Sequence, residues 1–259
     1  MKLISKDKLK CTFLIEGVEY WFVNSLRRMM INEVPVLAIE EVEFKKNDSA
    51  MYDEMVALRL GLLPLSTNLK ELSLKEKCQC KGAGCSMCQV KFTLKEKGPK
   101  MVYSKHIKCK DPGVTSIFPD IPITYLDKGQ HIEFEAIAEL GIGKEHMKWS
   151  PGLAYYQYDP IIKINSAKVK DIDSVVEICP RNVFEKKAGK LVVNEKNRMN
   201  CHLCRACTDL SPGVTLDLDE DRHLFTVESW GQLSPKDIVL ESTNIFEGKL
   251  QELSALMKE

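Results

Sequence analysis

Eight of the ten cysteines fall in two groupings, and those groupings carry the most specific chemistry in the chain. The first is Cys78-Gln-Cys80-Lys-Gly-Ala-Gly-Cys85-Ser-Met-Cys88, four thiols within eleven residues. Four thiolates satisfy a tetrahedral zinc ion and leave no open coordination position, which is the pattern of a structural rather than a catalytic site. Gly82 and Gly84 allow the loop to reverse tightly enough to bring Cys80 and Cys85 onto one ion. Two other readings compete. Free surface thiols would be an oxidation hazard when so clustered, and an iron–sulfur cluster is less well suited by the single residue between Cys78 and Cys80.

The second grouping, Cys201-His-Leu-Cys204-Arg-Ala-Cys207, follows an upstream Cys179-Pro180. It is similar to the bacterial ferredoxin run C-x2-C-x2-C-x3-C-P, in which the fourth cysteine serves the other of two clusters. The fourth position after Cys207 is Ser211-Pro212, so the proline persists without its cysteine. The three positions that should precede Cys179 on the same spacing are Val169, Ile172 and Val175. All four ligands of one cluster are thus missing together, and all four of the other remain. One [4Fe–4S] cluster on Cys179, Cys201, Cys204 and Cys207 is expected, with a [3Fe–4S] form or a second zinc site on the same thiols as alternatives.

Little else looks reactive. Cys11 lies beside Phe13 and Ile15 on an apolar strand and reads as a core thiol, and Cys109 sits in a Lys-rich stretch with no assigned part. The five histidines are scattered, and His202 reads as a bystander within the Cys run. No Ser/His/Asp order, Walker loop, GxGxxG, paired carboxylates in a defined motif or Asp triad for a two-metal site is apparent, so no catalytic residue is expected. Lys+Arg 37 against Asp+Glu 37 gives zero net charge, which argues against direct gripping of nucleic acid. The chain has 259 residues, 44% of them hydrophobic and 29% charged, which places it among folded proteins of one to three domains. No apolar run approaches the length of a membrane span. The opening ten residues lack the apolar core of a secretory signal, so a cytoplasmic location with reduced thiols is expected.

The elements that must position these cysteines are legible in outline. A strand over Leu9–Glu16 precedes a helix with Phe22, Leu26 and Met29 on one face, widened by Val23 and Met30 and stopped by Pro35. A strand over Val36–Phe44 leads to Asn47-Asp48-Ser49, which offers caps for a second helix with face Met51, Met55, Leu58 and Leu62 and an end at Gly61. A β-rich stretch from Lys70 to about Ser150 contains strands at Val90–Leu94, Ile121–Tyr125 and His131–Leu140; Tyr158–Ile164 and His223–Glu228 read as further strands. The clearest helix is the last. Ser234-Pro235-Lys236-Asp237 supplies a cap, and Val239, Phe246, Leu250, Leu253 and Met257 make a stripe suited either to its own core or to a partner.

Three runs carry a family resemblance: Asn24-Ser-Leu-Arg-Arg-Met-Met-Ile-Asn-Glu-Val-Pro35, Ala38-Ile-Glu-Glu-Val-Glu43, and Asp53-Glu-Met-Val-Ala-Leu-Arg-Leu-Gly-Leu-Leu-Pro-Leu65. The chain resembles, over essentially its whole length, the D subunits of archaeal RNA polymerase, counterparts of the eukaryotic third-largest subunit and the bacterial alpha subunit. The Cys-x-Cys-x4-Cys-x2-Cys loop is similar to the zinc loop of the eukaryotic counterpart, with one extra residue in its middle gap. The ferredoxin-like insert occurs in some archaeal members.

The resemblance implies an α+β fold with a discontinuous alpha-subunit-like dimerisation domain over residues 1–36, 151–167 and 219–259. It implies a β-rich insert with the zinc loop over 37–150, and a ferredoxin-like insert over 168–218 between two strands of the dimerisation domain. It further implies a non-catalytic scaffold that pairs with small subunit L and seats the large B subunit and small subunits such as N, touching DNA only through the complex. The implied interface comprises Phe22, Leu26, Arg27, Arg28, Met30, Val239, Phe246, Leu250, Leu253 and Met257. The competing functional class is an electron-transfer or redox-sensing protein built on the cluster. Zero net charge and the missing second cluster count against that.

Overall fold

The computed structural model describes residues 1–111 and 113–258. In chain order the elements are β1 (Lys2–Lys6), β2 (Lys10–Glu16), α1 (Tyr20–Asn32), β3 (Val36–Asn47), α2 (Asp53–Gly61), β4 (Gln89–Lys97), β5 (Lys100–Tyr103), β6 (Lys108–Cys109), β7 (Pro122–Leu126) and β8 (His131–Gly141). There follow β9 (Gly152–Ile164), α3 (Ile172–Ile178), β10 (Phe184–Lys187), β11 (Lys190–Val193), α4 (Ala206–Leu210), β12 (Val214–Ser229) and α5 (Pro235–Leu256). The fold is mixed α/β with several sheets, and the chain divides into two discontinuous units.

One unit comprises residues 1–6, 12–25 and 155–226. Its main sheet has the order β1-β2-β12-β9, so strands far apart in sequence pair at its centre. Phe13 stacks on Phe225 at 5.2 Å between ring centroids, and Tyr156 stacks on the other side of Phe225 at 6.3 Å. A small second core, Val175, Val183, Phe184, Leu191 and Val214, lies under α3 and the β10–β11 hairpin. Asp171 caps α3 by accepting from the Ser174 amide at 3.2 Å. The boundary expected at residue 218 falls inside β12, whose acidic middle, Asp217 to Asp221, continues the strand. Similarly, β9 begins six residues before the expected strand at Tyr158.

The other unit comprises residues 7–11, 26–154 and 227–259. Its sheet runs β3-β8-β4-β6, with a separate β5–β7 pair. In the long antiparallel register of β3 on β8, from Val36 opposite Gly141 to Asn47 opposite Ile132, β8 alternates half-buried and buried positions from His131 to Ile137 and is buried throughout from Ala138 to Gly141. Leu37, Ile39, Val90, Phe92, Leu94, Ile132, Phe134 and Ala136 form the core of this sheet.

Two expectations about α2 are corrected. Its cap is Tyr52, with no side-chain capping bond, because Asn47 and Ser49 are engaged in the preceding turn, where Ser49 N–H donates to Asn47 Oδ1 at 3.1 Å. Its buried face is Val56 and Leu60, whereas Met55, Leu58 and Leu62 are exposed. Apolar residues lie on both sides of this helix, so periodicity alone does not choose the inward face. At α5 the sequence cap holds: Ser234 Oγ accepts from the Asp237 amide at 3.2 Å, with Pro235 in the first turn.

Candidate metal centres

The first cysteine loop is shaped by its backbone. Lys81 N–H donates to the Cys78 carbonyl at 3.0 Å, and Gln89 N–H to the Cys85 carbonyl at 2.9 Å, closing one turn after Cys78 and another around Cys85–Cys88. Gly82 and Gly84 both have φ of 86°, the left-handed conformation that glycine adopts without penalty. At Gly84 a Cβ would meet the side-chain amide of Gln89, the group that donates to Glu139.

These turns draw the four sulfurs together. Sγ–Sγ separations are 3.5 Å for Cys78–Cys85, 3.6 Å for Cys80–Cys88 and 3.9 Å for Cys85–Cys88. All four lie within 4.8 Å of one another, and together they could hold one metal ion. The thiols are unequal. A backbone amide at Cys80 directed at its sulfur is the chief cause that lowers Cys78 to about 6, whereas burial pushes Cys88 up to about 12. Uptake of a cation by such a set must displace the most tightly held proton, which makes affinity rise with pH.

The loop is fastened to the sheet by Glu139 on β8. This buried carboxylate accepts from Lys75 Nζ at 2.9 Å and from the Gln89 side-chain amide at 2.5 Å, so it touches both ends of the Cys loop. Nothing in local sequence pointed to Glu139, which lies some fifty residues further along the chain.

The second grouping is arranged differently. Cys179 ends α3, Cys201 follows a short helical turn at Arg198–Asn200, Cys204 lies on the loop and Cys207 sits in α4. All four line one cavity together with Ile162, Val183 and Phe184. Among the described residues, no three of these sulfurs approach within the 4.8 Å that gathers the first group. Leu203 and Arg205 both adopt left-handed φ, at 62° and 63°, so the loop winds around the cavity without glycine. Burial pushes the Cys201 and Cys207 thiols up, and Cys204 is exposed.

An ion-pair network centred on the buried Asp159 stands beside this loop, its other members partly open to solvent. Arg198 donates to Asp159 at 2.6 Å, and Arg222 lies 3.3 Å from the other carboxylate oxygen and 3.0 Å from Glu16. His223, next along β12, is fully buried between Tyr156 and Tyr158, with ring centroids 5.8 and 5.2 Å away. Neither of its ring nitrogens has a hydrogen-bond partner among the described residues. Sequence reading passed over Asp159, Arg222 and His223, which carry no motif and acquire their setting from strand pairing.

Of the expected interface residues, Leu26 and Met30 are buried within this chain, Phe22, Arg27, Val239 and Phe246 are half-buried, and Arg28 is exposed. The outer half of α5 is open: Leu250 is 51% exposed, Leu253 54% and Met257 80%. Cys109 is half-buried beside a separate cavity. No described helix is long and apolar enough to cross a membrane.

Residues 41–153 match the family model of the RNA polymerase Rpb3/RpoA insert domain. The chain is 39% identical to DNA-directed RNA polymerase subunit Rpo3 of Methanosphaera stadtmanae, covering 100% of this chain and 98% of that protein. It is 37% identical to subunit Rpo3 of Methanothermobacter thermautotrophicus, covering 97% and 96%. It is also 34% identical to DNA-directed RNA polymerase II subunit rpb3 of Dictyostelium discoideum, covering 95% and 91%. With similarity of this extent from end to end, the chain belongs to the Rpo3/Rpb3 family of DNA-directed RNA polymerase subunits.

Proposed function

We propose that this chain, a non-catalytic assembly subunit of RNA polymerase, pairs with small subunit L through α5, and that the pair seats the large B subunit and small subunits such as N. The observation that carries this reading is full-length similarity to Rpo3 proteins, to which α5 adds an unspent apolar surface. Leu250, Leu253, Leu256 and Met257 leave the outer half of that helix without a cover in this chain, and burying each large side chain would contribute about 1.5–3 kcal/mol. DNA is met only through the complex, in the cytoplasm.

We assign zinc to Cys78, Cys80, Cys85 and Cys88. A tetrahedron with Zn–S near 2.3 Å has S–S edges of about 3.8 Å; three of the six separations, 3.5 to 3.9 Å, bracket that value and all lie within 4.8 Å. An ion there would tie the two turns of the loop together. We assign one [4Fe–4S] cluster, with [3Fe–4S] as its three-thiolate form, to Cys179, Cys201, Cys204 and Cys207. Their wider placement around a cavity suits it, because each thiolate of a cluster binds a different iron rather than sharing one ion. Bound there, a cluster would cross-link α3, the Cys loop and α4. The redox-carrier alternative is not favoured, since the full-length relatives are polymerase subunits.

The test is anaerobic co-expression with subunit L. A one-to-one pair with one zinc and four irons per chain is expected, with no nucleotide incorporation. Changing Leu250 and Leu253 together to Asp should abolish the pair while leaving the chain folded, since both are already exposed. Undiminished pairing in that double variant, or a free monomer from the wild type, would overturn the assembly reading.

A further inference from the structure

We propose that Gln157 and Asp159 are positioning residues for Cys201, holding the cluster loop against β9 so that cluster retention and the order of this strand are coupled. The proposal rests on the iron–sulfur assignment made above. Gln157 and Asp159 are two residues apart on one strand and therefore share a face. The Gln157 side-chain amide donates to the Met199 carbonyl at 3.0 Å and to the carbonyl of Cys201 itself at 3.2 Å. Asp159, only 2% exposed, accepts from Arg198 Nη1 at 2.6 Å, and that same nitrogen donates to the Pro160 carbonyl at 3.0 Å. Three nearby residues of β9 thus grip three of the four residues from Arg198 to Cys201. The Arg198–Asn200 turn joins these grips, because the Cys201 amide donates to the Arg198 carbonyl at 3.2 Å.

The loop beyond Cys201 needs such support. It places left-handed backbone at Leu203 and Arg205, neither a glycine, between its cysteines, and residues so held persist only where their surroundings over-determine them. The electrostatics make the grip reciprocal. Asp159, Glu16 and Glu195 face Arg198 and Arg222, three anions against two cations. If the loop retreats, Asp159 stays buried in the sheet with Arg222 alone, at the longer 3.3 Å contact. Losing one partner of a buried pair is strongly unfavourable, so departure of the loop loosens the strand, and disorder in the strand releases the loop.

The experiment uses the full chain with its partner subunit, reconstituted anaerobically with ferrous iron and sulfide. Gln157→Ala, Asp159→Asn, Arg198→Ala and Arg198→Lys are compared with wild type. Visible absorbance and iron content are followed after adding a ferrous chelator, and hydrogen exchange of residues 156–161 is measured before and after iron removal. The proposal expects cluster loss about tenfold faster in Gln157→Ala and Asp159→Asn, with Arg198→Lys nearer wild type than Arg198→Ala. It also expects iron removal to speed exchange along 156–161 in wild type and to add little in Asp159→Asn, as mutual coupling requires. Gln157→Ala removes only an amide from a half-buried position, so it remains informative if Asp159→Asn fails to fold. Four irons in the wild type, lost equally fast in every variant or without change on β9, would overturn this proposal alone. A wild-type chain that takes up no iron or sulfide would remove the cluster assignment and the proposal together.

Discussion

The two cysteine groupings contain the same four donors and differ in what holds them in place. Cys78, Cys80, Cys85 and Cys88 are brought together by local backbone turns, with left-handed backbone at Lys81, Gly82 and Gly84, and their sulfurs all lie within 4.8 Å of one another. Cys179, Cys201, Cys204 and Cys207 come from a helix end, a loop and a second helix, and they line a cavity rather than collapsing on a point. The first loop lies on a sheet with a core of nineteen buried residues. The second belongs to a segment whose own core is Val175, Val183, Phe184, Leu191 and Val214. A buried carboxylate on a strand fastens each loop, Glu139 in one case and Asp159 in the other. The lesson is that a short-range site can borrow stability from a large core, whereas a site assembled from scattered ligands must contribute to the stability of its own surroundings.

That contrast would be broken most directly by removing two cysteines of the proposed cluster site. Changing Cys204 and Cys207 to Ser should unfold the segment from about 168 to 213, with amide exchange there rising about a hundredfold or more, as expected when a unit this small loses its metal. Unchanged protection would mean that five core residues suffice. The corresponding change of Cys85 and Cys88 to Ser should cost the loop the metal ion proposed for it and disturb order only locally. Exchange should rise between residues 75 and 88 while β4, β8 and the proposed pairing with subunit L persist, as read by metal analysis and co-purification. A collapse of β8 would show that the large core depends on the ion after all.

The fastening carboxylates sharpen the comparison at smaller scale. Replacing Glu139 by Gln removes the charge that receives Lys75, and about 1.5–3 kcal/mol is the usual worth of such a hydrogen bond to a charged group. The expected outcome is weaker zinc retention against a competing chelator, with the sheet melting close to its native temperature. Equal retention would make Glu139 a bystander.

The smallest effect concerns acid, and it should appear on the second site's unit alone. Burial holds the His223 imidazole below its ordinary 6.5, against the opposing pull of Asp221, Asp219 and Glu19. As pH falls, the unfolded chain takes up this proton first. Its contribution to stability is therefore present above 6.5 and is lost as pH drops through that value toward the folded one. Urea midpoints between about pH 7.5 and about pH 5.5 should fall further for wild type than for His223→Phe. Parallel slopes would show that the imidazole is accommodated when charged.

By itself the sequence determined what depends on neighbours along the chain. Cysteine spacing announced the group Cys78, Cys80, Cys85 and Cys88, Ser234-Pro235 announced the start of α5, and the strand-like run His131–Leu140 announced β8, since turns, caps and pleats are interactions between residues a few positions apart. Tertiary structure alone decided what depends on residues distant in sequence. It chose Val56 and Leu60 as the inward face of α2, because the sheet that receives the helix determines which apolar side is covered. It carried β12 through the acidic stretch Asp217–Asp221, where pairing in the main sheet continues the strand across the domain boundary expected at residue 218. It buried Asp159 between Arg198 and Arg222 and enclosed His223 between two tyrosines. No window of sequence contains those partners, because they meet only when the ends of the chain and its middle join one sheet, where desolvation turns ordinary surface residue types into a paired core.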